Sequence, residues 1–171
     1  MKKTKIWQFC GFVFTSLMGT LLHFLYDLTN QNSFAALFSA TNESTWEHMK
    51  LLFFPMLLFA SVESVFISEN RSSFWCIKLR GIVLGLVLIP TLFYTYTGAF
   101  GISSDFINIT IFFVTAAITF LWETRALKQN NTQCKYPTLA IITLCVISFL
   151  FFKFTFDVPQ LPLFQDPASI M

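Results

Sequence analysis

The residues best suited to chemistry gather in one short stretch, Thr41-Asn42-Glu43-Ser44-Thr45-Trp46-Glu47-His48-Met49-Lys50. Nearly every side chain in it can hydrogen-bond or carry charge. Glu43 and Glu47 are four residues apart, so on a continuous helix their carboxylates share a face. Ser44 and His48 share the next face round, and Trp46 and Lys50 another. A second set lies upstream, where His23 and Asp27 are again four apart with Tyr26 beside them. The two sets hold both histidines of the chain.

Three kinds of chemistry compete for these residues. In the first, His23, Asp27, Glu47 and His48 bind a divalent transition metal, since imidazole and carboxylate suit Zn, Mn or Fe. Side chains on facing helices of a bundle build such sites. No H-E-x-x-H signature is present, however, and the adjacent Glu47 and His48 point about 100° apart on a helix. In the second, the same four residues act as catalytic acids and bases without a metal, because a carboxyl in a partly apolar pocket exchanges protons near neutral pH. Glu43, Lys50, Trp46 and Asn42 would then bind the substrate, with Lys50 holding an anionic headgroup. In the third, the cluster is structural. Ser44-Thr45-Trp46-Glu47 fits a helix capping box, Trp46 is an interfacial anchor, Lys50 pairs with Glu47 or Glu43, and His23 bonds Asp27.

The elements that must position these residues are membrane helices. Of 171 residues, 55% are hydrophobic and 12% charged. A soluble domain carries about 25% charged residues, and 23 Phe in so small a chain would aggregate in water. A net charge of +2 gives no reason to expect a nucleic-acid partner. About 20 apolar residues cross the hydrocarbon core as a helix. Five segments fit, at 6–26, 45–67, 82–100, 106–122 and 136–156. Residues 1–171 form a single transmembrane domain on this reading. The third and fourth segments are joined by the turn Gly101-Ile102-Ser103-Ser104-Asp105. Pro55 and Pro90 fall inside predicted helices, where neighbours must satisfy the freed carbonyls. Lys2, Lys3 and Lys5 before the first segment imitate a secretory signal, but the apolar run is long for one, so it is read as a retained helix.

Nine of the eleven Lys and Arg precede the first helix or lie in the second-to-third and fourth-to-fifth connections. The positive-inside rule then predicts an N-in, C-out multi-pass protein. Both histidines, Asp27, Glu43 and Glu47 fall on the outer side. So do the loop 28–44, with its apolar patch at 33–40, and the tail 158–171, which Pro159, Pro162 and Pro167 keep from being a helix. That tail, with Leu161, Leu163 and Phe164, is expected to fold back over the outer mouth. On the inner side Glu63 and Glu123 are expected to pair with Arg71, Arg80 or Arg125. Glu47 and Glu63 are roughly 24 Å apart along a helix rising about 1.5 Å per residue, so they belong to different sites. Cys10, Cys76, Cys134 and Cys145 form no C-x-x-C pair, and the expectation is four small buried hydrophobes.

His23-Phe24-Leu25-Tyr26-Asp27, Asn42-Glu43-Ser44-x-Trp46-Glu47-His48-x-Lys50 and Phe53-Phe54-Pro55 resemble an uncharacterised family of small bacterial multi-spanning membrane proteins. Pro159-x-Leu161-Pro162-Leu163-Phe164-x-Asp166-Pro167 is similar to that family's C-terminal ending. The resemblance implies a bacterial plasma-membrane location and a functional link between the polar cluster and the tail. The reading that follows is an all-α integral membrane bundle with an outward-facing polar pocket, an enzyme acting on a lipid or envelope precursor, metal-dependent or acid–base. Its partners are the bilayer and a lipid substrate. The alternatives are a small-solute or proton-coupled transporter working as a homo-oligomer, and a structural, accessory or sensor protein. An enzyme predicts a closed convergent pocket, whereas a transporter predicts polar residues continuing through the bilayer.

Overall fold

The protein is described as a computed structural model covering residues 2–66, 71–129 and 134–166. Long apolar runs with few helix breakers must satisfy their backbone groups internally, and all of them do so as helices. The elements are α1 (Lys2–Leu28), a one-turn α2 (Ser33–Ala36), α3 (Thr45–Phe66), α4 (Arg71–Phe100), α5 (Asp105–Gln129), α6 (Pro137–Phe156) and a 3₁₀ turn at Pro162–Phe164. Five helices, all but α2, are long and apolar enough to cross a membrane. The five-helix expectation therefore stands. Pro137 opens α6 at a position where a missing N–H costs nothing, while Pro55 and Pro90 are carried inside α3 and α4.

Helix α3 is the central element. More of its candidate span is buried than of any other, and it packs against α1 and α4 with lighter contact to α6. Leu52, Phe53, Met56, Ile82, Ala116, Phe120, Leu144 and Phe151 form the core between α3, α4, α5 and α6. Around it, large apolar side chains face outward along every long helix, among them Phe9, Leu17, Val87, Leu121 and Phe149. In water such a surface would aggregate, and in lipid it is the expected one. Helix α1 crosses close to α3 and α5 at Gly19, where a Cβ would stand 2.5 Å from Phe112 and 2.8 Å from the Leu51 carbonyl. Glycine there lets the turn carrying His23 approach α3.

Three expectations change. Helix α4 begins at Arg71 and not near residue 82, and α5 continues past Trp122 to Gln129. Lys78 and Glu123 therefore sit on packed helices. Hydropathy counts their charges but not their pairing, which is what makes their burial tolerable. The acids of the end opposite the histidines also find a different partner: Lys78 bonds both Glu63 and Glu123 at 2.6 Å, while the Arg80 and Arg125 residues are exposed. Finally, the cysteines are not four buried hydrophobes. Cys76 and Cys134 form a disulfide, and Cys10 and Cys145 are exposed on the apolar surface. Of the four N-x-S/T matches in the chain, Asn70 and Asn130 lie outside the described residues, as does the tail from Pro167.

Candidate functional site

The loop between α1 and α3 is held by hydroxyls and by one buried ion pair. Ser39 Oγ donates to the Leu22 carbonyl at 2.6 Å and accepts from the Tyr26 N–H at 2.9 Å. Those two backbone groups would otherwise bond each other in α1. The Ser39 hydroxyl thus bridges the Leu22 and Tyr26 backbone groups at the turn that carries His23. The loop is pinned to α1 there.

Glu47 turns inward. One carboxylate oxygen accepts from Thr41 N (2.8 Å), Thr41 Oγ1 (2.9 Å) and Lys50 Nζ (2.7 Å). Lys50 is fully buried, and its remaining protons go to the Ala36 carbonyl and Thr155 Oγ1, both at 2.9 Å. An ammonium has three donors, and all three are used within the protein, tying α2, α3 and α6 together. The capping box forms by half. Glu47 N donates to Ser44 Oγ at 3.4 Å, whereas Ser44 N donates to Asn42 Oδ1 at 2.9 Å. Trp46 stacks among Phe151, Phe154 and Phe164 at ring-centroid distances of 4.6 to 5.7 Å. The tail through Phe164 folds back onto α3 and α6.

With Glu47 committed inward, Glu43 becomes the carboxylate that meets the histidines. His48 Nε2 lies 3.4 Å from Glu43 Oε2, and His23 Nε2 lies 4.0 Å from Glu43 Oε1. The two imidazoles are 5.4 Å apart between centroids. One ligand atom from each of His23, Glu43 and His48 lies within 4.8 Å of the other two. His48 Nδ1 is 2.9 Å from the Ser44 carbonyl. A carbonyl only accepts, so Nδ1 is the nitrogen that donates to it, and Nε2 is the one turned toward Glu43. Histidine ligands are commonly oriented by such a bond from the other ring nitrogen. His23 Nδ1 is buried and has no hydrogen-bond partner among the described residues.

The spacing suits a metal. Donors about 2.0–2.2 Å from a zinc ion stand roughly 3–3.5 Å from each other. The His48–Glu43 distance already meets this. The His23–Glu43 distance needs a small swing of Glu43, whose side chain is 62% exposed. Asp27 lies one turn beyond His23, exposed at the end of α1 and outside the trio. The structure thus brings together His23, His48 and Glu43, and it places Asp27, Glu47 and Lys50 elsewhere. Asn42 and Trp46 support the segment and do not face the trio.

A small cleft of about 40 Å³ adjoins Glu43 and His48, between α3 and the helices α4 and α5. Glu43, Thr45 and His48 line one side, with Ile89, Phe93, Ile111, Phe112 and Asn108 facing them. The Asn108 side chain accepts a hydrogen bond from the Tyr96 hydroxyl and donates to Ser103 Oγ at 3.4 Å. Sequence reasoning missed Asn108. Its signal was a lone amide one turn into an apolar helix. It also missed Gln8 and Lys78 at the opposite end, where Gln8 Nε2 donates to Glu63 Oε1 at 2.6 Å. The signal there was two acids, Glu63 and Glu123, in otherwise apolar helices, which obliges a buried cation near both.

No curated protein and no solved structure matches the chain. A family model does, over residues 1–170. The chain belongs to the family of unknown function DUF6512.

Proposed function

We propose that this is a multi-pass protein of a bacterial plasma membrane with the histidine end outward, and that it is a metal-dependent enzyme acting on a lipid or lipid-linked envelope precursor at the outer leaflet. The single observation that carries this reading is the convergence of His23, Glu43 and His48 within 4.8 Å, with Glu43 and His48 also lining a small apolar cleft. Two imidazoles and one carboxylate leave coordination positions free on a divalent ion, the pattern of catalytic rather than structural metal sites. An ion held there would polarise a substrate oxygen or activate water. His48 is set by its Nδ1–H bond to the Ser44 carbonyl, and Ser39 fixes the turn that carries His23. Glu43, exposed and mobile in reach, completes the set. Ile89, Phe93, Ile111 and Phe112 give the adjoining cleft apolar walls, with Asn108 as the amide among them. The outward orientation rests on the basic residues gathered at the other end.

Metal content of the detergent-purified protein tests this reading. About one transition metal per chain is expected in the wild type after incubation with Zn²⁺ or Mn²⁺, and its loss is expected in His23→Ala, His48→Ala and Glu43→Ala with helicity retained. A wild type that takes up no metal would remove the metal-dependent reading.

One observation favours a second reading, a proton-coupled or small-solute transporter working as a homo-oligomer. Thr15, Ser16, Thr115 and Thr119 are buried midway along α1 and α5, and the hydroxyls of Thr15, Ser16 and Thr115 have no partner among the described residues. Polar groups continuing through the bundle are what transport requires. Solute flux in vesicles without any metal requirement would select it.

A further inference from the structure

The end of the bundle opposite the histidines holds a second polar cluster, contributed by four helices. Gln8 comes from α1, Glu63 from α3, Lys78 from α4 and Glu123 from α5, and each is at most 2% exposed. Lys78 Nζ bonds Glu63 Oε2 and Glu123 Oε2, both at 2.6 Å. Gln8 Nε2 bonds Glu63 Oε1 at 2.6 Å. The Lys78 ammonium also lies over the Phe74 and Phe120 rings. Among the described residues no other charged side chain is buried at this end. Arg80 and Arg125 are exposed.

The charges do not balance. Two ionised carboxylates and one ammonium leave a net negative charge sealed in a low-dielectric site, and such a group neutralises by taking a proton. The hydrogen bonds indicate which carboxyl takes it. Glu63 Oε1 accepts from Gln8, and its Oε2, though without a hydrogen bond, lies 2.6 Å from the Lys78 ammonium. Glu123 has one oxygen on Lys78, while its Oε1 is buried against Gly81 with no donor near it. A buried carboxylate oxygen with no donor beside it is the one least stabilised in the charged form.

We infer that this cluster is a proton-binding site that holds one proton on Glu123, with Lys78 and Glu63 as the ion pair beside it. Nothing in the metal chemistry proposed for the histidine end requires this proton, so the two assignments stand or fall separately. The proton comes from water at that end of the bundle. Helix α5 continues from Glu123 through the buried hydroxyls of Thr119 and Thr115, one and two turns further on. Ionising Glu123 would require a compensating cation or movement of α4 against α5 at Gly81.

Infrared spectroscopy of the full chain in lipid nanodiscs tests the inference, because an un-ionised carboxyl has a carbonyl stretch separate from that of a carboxylate and sensitive to deuterium. At neutral pH one such band is expected. Glu123→Gln removes it. Glu63→Gln removes it as well, because Glu123 alone then balances Lys78. Lys78→Met doubles it if that variant folds. Gln8→Leu, which touches only Glu63, leaves the band in place, and a shift in that variant would move the proton to Glu63 and overturn the assignment. Absence of the band in the wild type, or its persistence in Glu63→Gln, would overturn the proton site itself, whatever the variants' stability.

Discussion

The two ends of the bundle put similar residue types to opposite uses. At one end Glu63, Lys78 and Glu123 are sealed from solvent, and their charges face one another at 2.6 Å. At the other end His23, Glu43 and His48 converge at the surface with donor atoms still uncommitted. Charges sealed against their counter-ions make a fixed element of structure, whereas convergence at the surface leaves a site for something else. The histidine end contains both arrangements within one segment. Glu47 and Lys50 are saturated and buried, and four residues before Glu47 the Glu43 carboxylate is exposed and aimed at the two imidazoles.

The sharpest way to break this contrast is to remove a buried charge. Lys78→Met strands two carboxylates, and Glu47→Ala strands the Lys50 ammonium. Each is expected to cost about 3–5 kcal/mol, the usual result of removing one partner of a buried pair. Unfolding in mixed micelles would measure it. A loss of only about 1 kcal/mol in Glu47→Ala would mean that Glu47 acts as no more than a helix cap. That result would return the segment to its simplest structural reading.

A smaller effect is expected at Gly81. An alanine Cβ there would collide with the Glu123 carboxylate. The carboxyl must shift and weaken its bond to Lys78, at a cost of about 1–3 kcal/mol for overpacking. Gly98 provides the control, since nothing stands within 4 Å of a Cβ built there. If Gly81→Ala costs no more than Gly98→Ala, the cluster is looser than the structure shows.

How much of this was legible in the sequence follows from the same contrast. Apolar runs long enough to cross a bilayer announce five helices, because no other structure satisfies their backbone there. That His23 and His48 lie at one end followed from consecutive antiparallel helices. Which carboxylate joins them did not. On one continuous helix Glu43 and Glu47 share a face, but α3 begins at Thr45. Glu43 therefore belongs to the loop and points independently of Glu47. The choice between them was made by Lys50, whose burial draws Glu47 inward. The basic residues misled in the same way. Lys78 reads as a connecting-loop charge until its two acid partners, distant in sequence, are placed beside it.

The comparison is then sharpened at the exposed end. Glu43→Ala removes a side chain that is 62% exposed and, among the described residues, is paired only with the imidazoles. Its effect on stability is expected within about 0.5 kcal/mol, as for ordinary surface substitutions, while metal uptake is lost. Stability and binding separate here, whereas at Lys78 and Glu47 the fold itself is at stake.

The smallest expected effect belongs to Asp27, and it discriminates most finely between ligand sets. Spacing alone pairs Asp27 with His23 through one turn of α1, which put it among the expected metal ligands while Glu43 was expected to bind substrate. In the folded chain it is exposed near the end of α1, where its backbone carbonyl accepts from Asn30, and it is not among the three residues whose ligand atoms converge. Asp27→Ala should therefore leave both stability, within about 0.5 kcal/mol, and metal content at wild-type values. Calorimetric titration of Zn²⁺ into wild type, Asp27→Ala and Glu43→Ala compares the two carboxylates directly. If Asp27→Ala weakens binding as much as Glu43→Ala, the last turn of α1 must rearrange around the ion. The loop carboxylate would then be an accessory to a site built on α1 and α3 alone.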